Sequence, residues 1–272
     1  MEHYLWLIPL GFALGTVGTL IGAGGGFILV PVLLLLYPRA SPETITSISL
    51  AVVFFNALSG SWAYARMRRI DYKSGLLFAA ATIPGAIIGA LTTDYIPRRL
   101  FDAVFGLLMI VAAAYLFFHR IEESKPIEER SKRHIARSLV ETNGTAHVFS
   151  YDLRLGMWLS TFVGYVSSLL GIGGGIVHVP ILVRLLNFPV HIATATSHFI
   201  LVIMALTGTI VHIATGSFSH GGVHQTICLA IGVLLGAQVG AALSARVHGM
   251  WIIRGLAVAL ICVGIRILVM AL

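Results

Sequence analysis

Two ten-residue stretches carry the residue types best able to do chemistry in this chain. The first is Gly22-Ala23-Gly24-Gly25-Gly26-Phe27-Ile28-Leu29-Val30-Pro31, and the second is Gly171-Ile172-Gly173-Gly174-Gly175-Ile176-Val177-His178-Val179-Pro180. Both read G-x-G-G-G-x-x-x-V-P, and both lie in strongly apolar sequence. Each glycine costs a helix interior about 1 kcal/mol relative to alanine, so four glycines in five residues must interrupt it. At membrane depth such a break is tolerated only where it is buried in protein or lines a polar cavity. A short apolar segment follows each glycine knot, starting near Phe27 and Ile176. Open N–H groups at a helix start, together with the macrodipole, favour an anion. Glycine lets the backbone come close to a ligand and adopt positive φ. The two knots therefore read as a paired anion site. The plainer alternative, close packing of helices across small residues, suits isolated pairs such as Gly85/Gly89 and Gly236/Gly240. Neither knot is a dinucleotide fingerprint or a P-loop, since neither the βαβ context nor the Gly-Lys-Ser/Thr ending is present.

Hydroxyl groups recur just beyond both knots, as Thr44-Ile45-Thr46-Ser47-Ile48-Ser49 and Thr194-Ala195-Thr196-Ser197-His198. Ser47, Ser49, Thr196 and Ser197 are candidates to donate to anion oxygens; the alternative is that they bond back to their own helix. Asn56, one to two turns deeper, joins them either as a ligand contact or as a bond between helices. His178 and His198 lie in apolar sequence and could carry a coupled proton or lend charge to an anion, or serve as neutral, hydrogen-bonded interface residues. His212, nearer a span end, favours the second role. Arg184 and Arg266 are expected to snorkel to the interface.

What is missing gives the site a sign. The 11 carboxylates all fall in predicted loops or near span ends. Cation transporters and proton pumps commonly place Asp or Glu at mid-membrane, so a neutral or anionic ligand is expected. No G-x-S-x-G elbow or HExxH is present, which argues against an enzyme. No metal spacing and no cofactor motif appear. Cys228 and Cys262 read as small core residues.

The elements that position these residues follow from hydropathy. Of 272 residues 57% are hydrophobic and 11% charged, against about 25% charged in soluble domains, so the lipid bilayer is the expected solvent. The formal net charge of +7 is concentrated in loops, as the positive-inside rule anticipates, and does not imply nucleic acid. Apolar stretches at 4–21 and 27–37 flank the first knot, and full spans follow at 43–65, 74–93 and 100–118. A polar segment at 119–150, expected to be partly helical, divides the chain. The second half repeats the plan at 154–170, 176–187, 192–214, 223–245 and 250–272. Gly22 maps to Gly171 and Pro31 to Pro180 at one offset; Thr46 maps to Thr194, Ser49 to Ser197, Gly60 to Gly208, Gly85 to Gly236 and Gly89 to Gly240. The expected fold is an all-α polytopic membrane protein of two homologous repeats, 1–118 and 151–272, joined by the cytoplasmic linker 119–150. Each repeat has a Gly-broken or re-entrant helix pair and three full transmembrane helices. The basic loop at 65–73 has an uncharged counterpart at 215–222, which favours inverted repeats; parallel repeats are the alternative.

The duplicated motif, each copy followed by a short apolar helix and a Thr/Ser-bearing span, resembles the TauE/SafE family of sulfite exporters over nearly the whole chain apart from the linker. The resemblance implies secondary transport, mostly export, of small sulfur-containing anions such as sulfite, sulfoacetate or other organosulfonates across the plasma membrane. Site residues carry over at Gly22, Gly24, Gly25, Gly26, Pro31, Gly171, Gly173, Gly174, Gly175 and Pro180. Thr196-Ser197 fits the family pattern better than the first-half hydroxyls. The expected mechanism is alternating access around a mid-membrane anion, coupled to protons or to the membrane potential. An anion channel is the rival reading, and a homo-oligomer stays open.

Overall fold

Hydrophobic length and glycine breaks set the order of elements. The computed structural model describes residues 4–118, 134–220, 222–244, 261 and 264–269. In the first half, α1 (Leu7–Ile21) and α2 (Gly26–Leu36) flank the first knot, followed by α3 (Pro42–Arg66), α4 (Tyr72–Thr93) and α5 (Arg98–Phe118). Strands β1 (His134–Val140) and β2 (Ala146–Asp152) come next. In the second half, α6 (Leu153–Leu170) and α7 (Gly175–Arg184) flank the second knot, and α8 (Val190–Ala214) and α9 (Val223–Ser244) follow. The helices α3, α4, α8 and α9 are each long and apolar enough to cross a membrane, where the sequence placed spans. The expected span at 250–272, with Trp251 and Cys262, falls largely outside the described residues, as does the linker from 119 to 133.

Local chemistry fixes the helix ends. Ser41 accepts from the Thr44 N–H at 3.2 Å, with Pro42 in the first turn of α3. Asp152 accepts from the Arg154 and Leu155 amides at 2.8 and 3.2 Å, starting α6. Such caps satisfy N–H groups that have no acceptor within the helix. Pro31 and Pro180 sit inside α2 and α7, where each removes one backbone donor.

Helix packing follows a pattern of exchange between the halves. The α1 helix packs on α9, while its second-half counterpart α6 packs on α4. Both interfaces are built on glycine. A Cβ at Gly236 or Gly240 would collide with the carbonyl oxygens of Phe12 or Thr16, and one at Gly85 or Gly89 with those of Thr161 or Tyr165. Without a hydrophobic driving force between helices in lipid, such close backbone approach carries the association. Between these pairs α3 and α8 run antiparallel: Gly60 lies against His198, and Gly208 against Leu50.

The described part of the linker differs from the partly helical segment expected. Residues 134–152 form an antiparallel hairpin with register His134↔Asp152 through Val140↔Ala146. The period-two pattern explains it: Ile135, Leu139, Phe149 and Tyr151 pack with Phe78 and Phe188 in one apolar cluster. Gly144, at φ 86°, closes the turn after Asn143. The hairpin clamps the α3–α4 loop. Arg137 donates to both oxygens of Asp71. Arg69 Nε donates to Glu141 at 2.8 Å, and His147 Nε2 lies 2.9 Å from the other Glu141 oxygen. The Thr142 amide donates to the Met67 carbonyl at 3.2 Å.

Burial opposes ionisation of Asp71, but hydrogen bonds from Arg137 and Ser74 outweigh it and hold the carboxyl below its usual 3.8. Burial likewise opposes charge on Glu141, and Arg69 and His147 hold it below its usual 4.5. Carboxylates with depressed folded-state pKa values stabilise at pH above their unfolded values, and this contribution is lost as pH falls through the folded ones. Hydrogen exchange of the amides of 134–152, corrected for intrinsic rates, is therefore expected to stay slow from neutral pH to about 5 and to accelerate as pH falls below about 4. Arg137→Gln is expected to accelerate it at neutral pH.

Candidate anion site at the paired glycine knots

The knots form because only glycine accommodates their backbone. Gly22, Gly24 and Gly25 take φ of 82°, 74° and 80°, and Gly171, Gly173 and Gly174 take 69°, 78° and 66°. In this left-handed region an L side chain costs roughly 1–2 kcal/mol. The turn brings Gly25 back against Leu14 and Gly18, and Gly174 back against Ser167. The final glycine of each knot starts the short helix and has a different constraint. A Cβ at Gly26 would lie 2.7 Å from the Ile172 carbonyl oxygen and 2.8 Å from that of Gly171. A Cβ at Gly175 would lie 2.5 Å from the Ala23 Cα and closer still to the Gly22 carbonyl oxygen. The two knots thus touch, each through the first residue of its short helix.

Both short helices start without a side-chain cap. The Ile28 and Val177 amides donate to the Gly25 and Gly174 carbonyls and the Gly175 amide to the Gly173 carbonyl. That leaves Gly26, Phe27 and Ile176 as the first-turn amides without an acceptor inside the helix, and the positive ends of both dipoles meet at one place. Formal negative charge is kept away. Among the described residues the carboxylates lie at helix ends or in the hairpin: Glu43, Asp71, Asp94, Asp102, Glu141 and Asp152. Glu2, Glu122, Glu123, Glu128 and Glu129 lie outside them.

The candidate hydroxyls divide into three groups. Ser49 Oγ donates to the Gly171 carbonyl at 2.6 Å, and Ser197 Oγ donates to the Gly22 carbonyl at 3.3 Å. Each half therefore satisfies a knot carbonyl of the other. Ser47 Oγ bonds back to the Thr44 carbonyl of its own helix at 2.8 Å. Thr196 is placed at the α3–α4 loop, where its hydroxyl accepts from the Asp71 amide at 3.1 Å. The threonines in contact with the knots are instead Thr46, against Gly171, and Thr194, against Gly22.

Asn56 and His198 come together through a residue the sequence reading passed over. The Thr19 hydroxyl donates to Asn56 Oδ1 at 3.1 Å and lies 3.2 Å from His198 Nε2. Tyr64 donates to the Thr19 carbonyl at 2.7 Å and meets the His198 ring edge-on. All four are buried. Thr19 stands three residues before Gly22, and Ser168 stands three before Gly171; that repeated hydroxyl was the available signal. The cluster belongs to one side only, because Asn56 and His198 correspond to Met204 and Leu50 in the other half. His178 is separate, 3.2 Å from Ser160 Oγ and packed near Phe78. Apolar side chains cover the knots: Val53 lies over both Gly24 and Gly173, and its counterpart Leu201 lies over Gly24.

The family model of the sulfite exporter TauE/SafE matches residues 7–267. The chain belongs to the TauE/SafE family. It is 32% identical over 97% of its length to the probable membrane transporter protein YunE of Bacillus subtilis, covering 97% of that relative. It is also 25% identical to a probable membrane transporter protein of Methanocaldococcus jannaschii, over 90% of this chain and 89% of the relative. No solved structure matches the chain. Family and relatives are described as transporters rather than enzymes. In this TauE/SafE protein the repeated motif is thus the place where the two halves of the chain interlock.

Gly26→Ala and Gly175→Ala each push a methyl group into the opposite knot. Overpacking of this kind typically costs about 1–3 kcal/mol, so both variants are expected to melt earlier than wild type in a thermal-shift assay in detergent. Ser49→Ala leaves the buried Gly171 carbonyl without its donor, at a cost of about 1–3 kcal/mol. Leu235→Ala, on an outward face 60% exposed, is expected to leave the melting temperature unchanged.

Proposed function

We propose that the protein is a secondary transporter, working as an exporter, of small sulfur-containing anions such as sulfite, sulfoacetate or other organosulfonates. The observation that carries this reading is the meeting of two uncapped helix starts at the paired knots, remote from the described carboxylates. The anion would take the amides of Gly25 and Gly26 and of Gly173 and Gly174 as donors, while those of Gly24 and Gly175 already donate to the Gly18 and Gly173 carbonyls. Ser49 and Ser197, which now hold knot carbonyls, stand close enough to change partners. For an anion to reach the amides from between α3 and α8, Val53 and Leu201 must withdraw. Their displacement is then one step of alternating access, and the Thr19–Asn56–His198 cluster beside the first knot is the place for a coupled proton.

We further take the two halves as inverted repeats in the plasma membrane. Two contacts support this. The α3–α4 loop sits beside the hairpin at the C-terminal end of α3, through Arg69 and Glu141. Its counterpart, the α8–α9 loop, reaches the other end of α3, where Gly222 lies against Ile48 and Thr44. Loops at equivalent places in the repeat thus reach opposite ends of one span. The end bearing Arg66, Arg68, Arg69 and the hairpin is the cytoplasmic one by the positive-inside rule.

Proteoliposome flux tests the reading. Saturable uptake of sulfite or a short sulfonate is expected, with apparent affinity lowered in Gly174→Ala. No saturable flux of any such anion would falsify the transporter. Single-channel currents far above transporter turnover would replace it with a channel.

A further inference from the structure

A second feature lies away from the knots, where the C-terminal ends of α3 and α9 meet the tip of the hairpin. A cavity of about 450 Å³ opens there, lined by Ala63, Arg66, Arg69, Glu141, Asn143 and Gln238 among others. Arg69 is only 7% exposed, and its Nη1 is buried with no hydrogen-bond partner. A buried guanidinium N–H without an acceptor is costly, and a guanidinium is built to receive oxyanions. Its Nε is already engaged by Glu141, whose other oxygen faces His147. The one carboxylate in the cavity is therefore paired on both oxygens. Arg66 is exposed at the rim, with its guanidinium carbon 5.2 Å from the centre of the Trp62 ring. On the opposite wall Gln238 Nε2 donates to the Ser59 carbonyl and hydroxyl at 2.8 Å each, which holds that side chain in place.

The cavity also lies at one end of a stripe on α3. Ala63, Gly60, Asn56, Val53 and Ser49 follow one another at helical spacing of three and four residues, and such residues share a face. The stripe runs from the cavity, past the Asn56 side chain whose Nδ2 has no partner, to the residues that cover and clamp the knots. From Arg66 to Val53 the helix rises about 20 Å.

We propose that this cavity is a second oxyanion site, with the Arg69 and Arg66 guanidinium groups as its donors, which loads the anion before it passes along α3 to the knots. The loading role rests on the transport reading above; the anion affinity of the cavity does not. The same chemistry would accept a soluble sulfonate or the phosphate of an anionic lipid headgroup.

The test is charge-selective labelling of Ala242→Cys, another lining position, in the full chain carrying Cys228→Ala and Cys262→Ala in nanodiscs. In phosphatidylcholine discs, with each rate divided by that with a free thiol in solution, the anionic 2-sulfonatoethyl methanethiosulfonate is expected to react about tenfold faster than its trimethylammonium analogue, as a local positive potential requires. Sulfoacetate is expected to protect the thiol. Arg66→Gln and Asn143→Asp, which leave the Arg69–Glu141 pair in place, should shrink both effects. If phosphatidylglycerol discs alone abolish the preference, a headgroup is the occupant, which supports the site and removes its loading role. Equal labelling rates with no protection in either disc would overturn the site. Protection without saturable flux would leave the cavity standing and sink the transporter; flux without protection would do the reverse.

Discussion

Neither Gly22 nor Gly171 can turn its carbonyl to water, and lipid offers no substitute. A glycine break of this kind must find its hydrogen-bond partners inside the protein. Here each partner comes from the other half: Ser49 serves Gly171, and Ser197 serves Gly22. The rest of the architecture accommodates that exchange. The α3 and α8 helices run antiparallel through the centre because each must present its serine to the opposite knot. The knots can touch only because Gly26 and Gly175 lack side chains. The glycine seams between α1 and α9, and between α4 and α6, then bind the periphery of one half to that of the other. Close packing and polar satisfaction converge on the same few positions, which is why so many glycines cluster around so few hydroxyls.

The same arrangement leaves donors where acceptors are satisfied. The knot carbonyls face serines, while the first-turn amides of α2 and α7 face no capping side chain. A centre rich in N–H groups and poor in carboxylates has a positive potential without carrying a formal charge. The shared motif of the halves does not make that centre uniform. Thr19, Asn56, His198 and Tyr64 form a buried polar cluster beside the first knot, whereas Asn56 and His198 have Met204 and Leu50 as their counterparts. The repeated motif supplies the frame, and the residues around it make one side more polar than the other.

Much of this was legible in the sequence. The knots, their repeat and the four spans α3, α4, α8 and α9 follow from glycine spacing and hydropathy, because lipid penalises any other reading. The direction in which a hydroxyl points was not legible. Ser47, Ser49 and Thr196 look alike in sequence, yet one bonds back to its own helix, one reaches the opposite knot and one caps a loop. Side-chain direction depends on rotation about the helix axis, which a uniformly apolar span does not reveal. The hairpin was missed for a different reason. Asn143-Gly144 between alternating residues is a turn signal, but the charged residues around it read as a polar, partly helical linker, and the apolar face formed by Ile135, Leu139, Phe149 and Tyr151 was too short to stand out.

The crossed serines carry a consequence for a chain of half the length. A polypeptide holding only one copy of the motif would keep its knot carbonyl bare until it met a second copy. Such a half-length chain would have to pair with another of its kind. Two copies of the motif in one chain make that encounter intramolecular, and the one-sided polar cluster around Thr19 is an asymmetry that a symmetric pair of identical chains would not hold.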